Sequence, residues 1–265
     1  MFANIKKLFS YRELLYSLTR KELKVKYRGS VLGFFWSLLN PILTMLVYSF
    51  VFSIVLRGGV EEFAIFLICA LLPFNFLQNS VNQGTGSIIS NSNLVNKIYF
   101  PREILPLSIV FSNLINFFLE LIALFAVLAF MGYKFYLFLY ILPVLVFIQI
   151  FLVTGMTLLV SALNVFFRDL QHLITIVMMV WFFGTPIIYP LSMVPERFQP
   201  YIKFINPMTI YAAYYRNIFY YTKHTEGAGF PSALETVTAL GITLLIFFLG
   251  YFVFKKLEPR FAEEI

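Results

Sequence analysis

Charge is scarce in this chain. Only 12% of its residues are Asp, Glu, Lys or Arg, about half the share of a soluble domain. At 60% hydrophobic over 265 residues, an ordinary water-soluble fold is excluded, because its interior could not hide that much apolar surface. Cysteine is scarcer still. Cys69 stands alone, so the chain has no internal disulfide framework. There are two histidines, His172 and His224. With so few acids they form no visible cluster for metal binding or acid–base catalysis. The phosphate-loop signature G-x-x-x-x-G-K-[ST] is also missing; Gly84 and Gly86 in "NQGTGS" lack its lysine. Any ATP hydrolysis coupled to this chain is therefore expected in another one. The first 30 residues are too polar for a signal peptide.

What the chain has instead is long apolar runs. A helix crossing the hydrocarbon needs about 20 apolar residues, and six stretches qualify: 31–56, 63–83, 104–131, 138–163, 171–189 and 234–254. The prediction is an all-α integral membrane protein with six transmembrane helices over 31–265, preceded by a polar arm, 1–30. With the N-terminus inside, fourteen of the 20 Lys/Arg fall on the cytoplasmic side. That bias predicts cytoplasmic termini. Bases confined to short polar segments fit membrane topology better than nucleic-acid binding.

The arm carries Arg12, Arg20, Lys21, Lys24, Lys26 and Arg28 among leucines. Tyr11, Leu14, Leu15 and Leu18 share one helical face. This predicts an amphipathic helix in the cytoplasmic interface, its bases turned to anionic headgroups. Two readings stand: a positive-inside anchor, or a grip by Arg20, Lys21, Lys24, Lys26 and Arg28 on a phosphorylated lipid substrate. Next, Gly29 and Gly33 are expected to permit close backbone approach, Trp36 to anchor at the headgroups, and Pro41 to kink the first span.

Between spans two and three lies "NKIYFPREILP", 96–106, an aromatic, charged island in a greasy chain. It reads as a polar cytoplasmic loop. It reads equally as a short amphipathic helix docking a partner, with Tyr99 and Phe100 as anchors and Lys97, Arg102 and Glu103 at the rim. Outside, prolines break the 190–231 segment. Tyr189, Tyr201, Tyr211, Tyr214, Tyr215, Tyr220 and Tyr221 crowd this region. They read as an interfacial belt or as sugar-stacking faces with polar tips. Glu120, inside span three, is costly there; it either pairs with Asn113, Asn116 or a neighbouring helix, or lines a channel.

The order and spacing of "KYRGSVLGFFWSLLNPIL", "NLVNKIYFPREILPL" and "NVFFRDLQH" resemble the permease subunits of ABC-2 type polysaccharide exporters, those of O-antigen, capsule and teichoic acid above all. The resemblance spans nearly the whole chain. It implies a non-enzymatic, homodimeric permease in the bacterial inner membrane with two ATP-binding cassette subunits below. Those partners bind the ATP and Mg, and this chain carries no cofactor. It implies an undecaprenyl-diphosphate-linked glycan as substrate, a coupling helix over about Asn93–Leu105, and an interface helix over about Tyr11–Tyr27. Two short re-entrant outer helices, near Pro195–Phe204 and Pro207–Tyr220, would form a gate carrying Tyr189, Tyr211, Tyr214 and Tyr215. Two alternatives remain: a drug or small-lipid exporter of the same type, and a membrane-embedded lipid-linked glycosyl- or acyltransferase. The second is short of catalytic groups, since His172 and His224 fall on opposite sides and the spans hold only Glu120 and Glu235 as acids.

Overall fold

The computed structural model describes residues 10–51, 60–224 and 229–264. Every regular element among them is helical. In chain order these are α1 (Arg12–Lys26), α2 (Trp36–Ser49), α3 (Phe63–Thr85), α4 (Ser92–Lys97), α5 (Ile104–Phe130), α6 (Leu142–Phe166), α7 (Leu170–Gly184), α8 (Gln199–Ile205), α9 (Pro207–Phe219), α10 (Ala233–Leu257) and α11 (Phe261–Glu264). Four segments are long and apolar enough to cross a membrane: α3, α5, α6 with its lead-in from Phe135, and α10. They match the expected second, third, fourth and sixth spans within a few residues.

The other two expected spans are shorter as helices. α2 opens at Trp36, not at residue 31, and the end of the 31–56 stretch lies outside the described residues. Before it, Gly29 and Gly33 adopt left-handed φ values of 75° and 50°. A Cβ at either would meet nothing within 4 Å, so these glycines make turns and do not allow close helix packing as expected. α7 has 15 residues, a rise of about 22 Å, against roughly 30 Å of hydrocarbon. It stops where Thr185 turns extended, a conformation that the following Pro186 imposes.

The close helix contact lies elsewhere. A Cβ on Gly250 of α10 would sit 2.0 Å from the Gly155 carbonyl oxygen of α6. Only hydrogen fits there, so α6 and α10 meet backbone to backbone. α3 is the centre of the main core: Phe66, Cys69, Phe74 and Leu77 are buried against α5, α6 and α9. A second cluster gathers Leu18, Phe100, Leu105, Leu158, Phe254 and Phe261 at one end of the bundle. α1 packs along α5 and gives this cluster its predicted face, Tyr11, Leu14, Leu15 and Leu18. That face therefore meets protein.

Candidate functional site

The 96–106 island is not one helix. α4 ends at Lys97, Ile98 is extended at φ −131° and ψ 135°, and α5 restarts at Ile104. The single helix over 93–105 that the resemblance implies is corrected, for a reason the sequence already carries: Pro101 has no N–H to donate and disfavours helix at Phe100, so it marks a break. The break separates the two aromatics. Tyr99 is 84% exposed and Phe100 is 6% exposed. Phe100 packs in the second cluster with Ile104, Phe254 and Phe261, so it anchors this chain and is not free to enter a partner.

The charges behave likewise. Glu103 is 2% exposed and its Oε1 lies 2.6 Å from Lys255 Nζ. Burial pushes the Glu103 carboxyl upward, against the opposing pull of Lys255. Its Oε2 is buried without a hydrogen-bond partner. The Arg102 N–H donates to Glu258 Oε1 at 3.1 Å, and Arg102 Nη1 donates to the Glu258 carbonyl. Neither Arg102 nor Glu103 is a rim charge as expected. Lys97 is exposed. Residues 95–103 line one wall of an open groove of about 780 Å³; Lys255, Glu258, Pro259 and Ala262 line the other. Sequence reading missed that second wall. The sole signal was "KKLEPR", whose charges resume where an apolar run ends.

The bases of α1, with Arg28 just beyond its end, divide between two faces. Arg20, Lys21, Lys24 and Arg28 line an outward groove of about 510 Å³ with Tyr16 and Ser17. Lys26 turns the other way, into a groove of about 330 Å³ shared with Glu22, Gln83, Ser87, Ser112 and Asn116. Much of Lys26 is exposed, but partial desolvation beside this groove lowers its pKa, while Glu120 opposes the shift. The five bases do not converge, because Lys26 lies two positions beyond Lys24 and so on a different side of the helix. Glu120 takes neither expected amide: Asn113 donates to Gln83 at 3.0 Å, and Asn116 accepts from the Tyr27 hydroxyl at 2.7 Å. Its electrostatic neighbour is Lys26.

At the other end, Asn206 holds α7 to α9. Its Oδ1 accepts from the Met208 N–H at 3.0 Å and from Trp181 Nε1 at 2.8 Å. Its Nδ2 donates to Thr185 Oγ1 at 2.8 Å. α9 sits inside the bundle. Tyr215 is fully buried, its hydroxyl donating to Gln149 Oε1 at 2.7 Å, and Gln149 Nε2 donates to the Pro73 carbonyl at 2.8 Å. Tyr211 is buried and bonded to Thr243, Tyr214 bonds Thr236 at 2.8 Å, and Tyr189 donates to the Phe183 carbonyl at 2.8 Å. The expected sugar-contacting role is corrected for Tyr211 and Tyr215, whose tips are satisfied inside the core. Tyr201 on α8 is 64% exposed.

The family model described as "ABC-2 type transporter" matches residues 13–220. The chain belongs to the ABC-2 type transporter family. It is 37% identical over 270 residues to "O-antigen export system permease protein RfbA" of Myxococcus xanthus, covering 100% of each chain. It is 32% identical over 252 residues to a protein of the same name from Klebsiella pneumoniae, covering 95% of this chain and 94% of that one. The "Polysialic acid transport protein KpsM" of Escherichia coli is 21% identical, over 91% and 92%.

This ABC-2 transporter chain also carries a charge cluster that sequence reading did not find. Glu62 is the one non-glycine residue with positive φ, 44°, among the described residues. Its Oε1 accepts from Lys223 Nζ at 2.7 Å, and its Oε2 accepts from the Tyr133 hydroxyl. His224 Nε2 lies 3.2 Å from the same oxygen, and its Nδ1 lies 2.9 Å from Glu61. Burial would raise the Glu62 carboxyl, but bonds from Lys223, Tyr133 and His224 outweigh it and hold the group below its ordinary value. The cluster ties the start of α3, the end of α5 and the segment after α9.

Proposed function

We propose that this chain is the permease subunit of an ABC exporter for a lipid-linked polysaccharide. The observation that carries the reading is the 37% identity to an O-antigen export permease over the full length of both chains. The chain crosses the bacterial inner membrane six times, α2 and α7 completing the count, with both termini in the cytoplasm. Two copies enclose the glycan path, and two cassette ATPases supply ATP hydrolysis. The substrate is an undecaprenyl-diphosphate-linked glycan. Outside, α8 and α9 re-enter as a gate, with the exposed ring of Tyr201 available to the departing sugar.

The ATPase contacts this chain at the groove beside 95–103, where Lys97 and Tyr99 are exposed and Phe100, Arg102 and Glu103 hold the segment in shape. The outward bases, Arg20, Lys21 and Lys24 of α1 and Arg28 just beyond it, meet anionic headgroups, the substrate's diphosphate among them.

Deleting the gene should remove surface glycan and leave lipid-linked glycan inside the cell. Supplying the chain together with its ATPase should restore export. A deletion strain with normal surface glycan and new sensitivity to an apolar drug would favour small-molecule export instead.

A further inference from the structure

The residues after α10 are clasped to the start of α5. Lys255 bridges two carboxylates, Glu103 at 2.6 Å and Glu258 at 2.9 Å. Glu258 receives both the backbone N–H and the guanidinium of Arg102. Phe261 is fully buried, edge-on to Phe254 at 5.4 Å and tilted against Phe166 at 6.3 Å. α11 packs on α4 as well. The far end of the chain is thus bonded to the segment that leads into α5.

Beside the apolar packing of Phe100, a load applied to residues 96–103 consequently has two exits. One is α5, through the covalent chain. The other is α10, through Arg102–Glu258 and Glu103–Lys255. From α10 the load passes to α6 without slack, because the two backbones touch at Gly155 and Gly250. Polar contacts suit such a link: the Lys255–Glu103 ion pair and the charge-assisted hydrogen bonds between Arg102 and Glu258 have fixed geometry.

We propose that the Lys255–Glu103 and Glu258–Arg102 contacts carry the ATPase's movement into α10 and α6, making Lys255 and Glu258 positioning residues of the transport cycle. The inference rests on the reading that the island meets the ATPase. It adds a second path from that point, ending in the α6–α10 pair.

The test uses the complex of this chain with its ATPase, carrying Glu258→Ala, Lys255→Met or Lys255→Arg. Three quantities are read: ATPase retained on purification, ATP hydrolysis, and surface glycan on intact cells after periodate oxidation and hydrazide labelling. Couplings between sites typically amount to about 5–150-fold. Glu258→Ala and Lys255→Met should keep the ATPase and its hydrolysis while glycan exported per ATP falls about tenfold. Lys255→Arg should hold the ratio. Glu258→Ala removes the carboxylate that receives the Arg102 N–H and Lys255 without leaving Glu103 unpaired, so it decides the matter if Lys255→Met fails to accumulate. A wild-type ratio in Glu258→Ala overturns the proposal, as does a Lys255→Arg variant that accumulates yet is as poorly coupled as Lys255→Met. Docking is judged separately. If Lys97→Ala with Tyr99→Ala leaves the ATPase bound, the docking reading fails whatever the clasp variants do.

Discussion

At residues 96–106 the polar groups that hold the segment beside Phe100 are charged, and they come from the far end of the chain. At 185–221 they are mostly neutral tips of Tyr, Asn and Gln from neighbouring helices; the one buried ion there, Arg216, is held by the neutral carbonyls of Phe66 and Ile187 and not by a counter-charge. The difference follows from the surroundings. The island sits at a helix boundary where Lys255 keeps a quarter of its side chain exposed, so its pairs bear only part of the desolvation of fully buried charge. α9 lies inside the bundle, where a neutral hydroxyl–amide bond costs far less to bury. Removing one polar partner should therefore disturb coupling at the island and stability at the hairpin.

The largest effect expected is on Phe100. Phe100→Ala empties a site in the second cluster and should cost about 3–5 kcal/mol. Tyr99→Ala, one position earlier but exposed, should stay within about 0.5 kcal/mol while weakening ATPase retention. Melting temperatures of the two purified proteins check the contrast. Equal losses would mean that both rings are buried or that neither is.

Next comes Tyr215→Phe. The ring remains, but Gln149 Oε1 loses its donor in the core. A buried acceptor left unpaired costs about 1–3 kcal/mol, so stability should fall by that order, with surface glycan falling only as protein level falls. A loss of export at unchanged protein level would return Tyr215 to the substrate path.

These two cases show where the sequence was readable. Apolar run length revealed α3, α5, α6 and α10, because spanning the hydrocarbon demands that length. The amphipathic face of α1 was legible from Tyr11, Leu14, Leu15 and Leu18, since periodicity reports which side is apolar. What covers that side was not legible: protein covers it. The island was found, but its interior was misjudged. Tyr99 and Phe100 are indistinguishable by type, and only the break before Pro101 sends one out and one in. Nothing local signals that Glu103 pairs with Lys255, 152 residues away. The seven tyrosines between 189 and 221 were plain in the sequence, but a tyrosine with a buried partner and one facing solvent read alike. The split of the α1 bases was not legible, because Gln83 and Asn116, the neighbours that flank Lys26, come from other helices.

The Glu62 cluster predicts a smaller, pH-dependent effect. Its carboxyl is held below the ordinary value of 4.5 by Lys223, Tyr133 and His224. A lowered folded pKa contributes stability that is fully present above pH 4.5 and disappears as pH falls through the folded value. Below pH 4.5 the Glu62 contribution should fade. The difference in melting temperature between the protein and Glu62→Gln isolates it from other carboxylates. That difference should shrink as the solution is acidified. A gap that persists unchanged to pH 3 would show that Glu62 acts through shape and not charge.

The smallest effect on stability is expected in α1. Lys24→Gln removes a base from the outward groove, where it makes no contact with the core, and should change folding stability by less than about 0.5 kcal/mol. It should still weaken binding to vesicles of anionic lipid by about 1 kcal/mol, the usual worth of one base near such a surface, and added salt should abolish the loss. Lys26→Gln, two residues on, tests the other face. It removes the charge that faces Glu120 and leaves the outward groove intact. Its vesicle binding should stay near that of the unaltered protein, while the groove lined by Gln83 and Asn116 loses its cation. If both substitutions weaken vesicle binding equally and respond equally to salt, then the bases act as one diffuse charge, and the division of α1 into two faces has no consequence for lipid recognition.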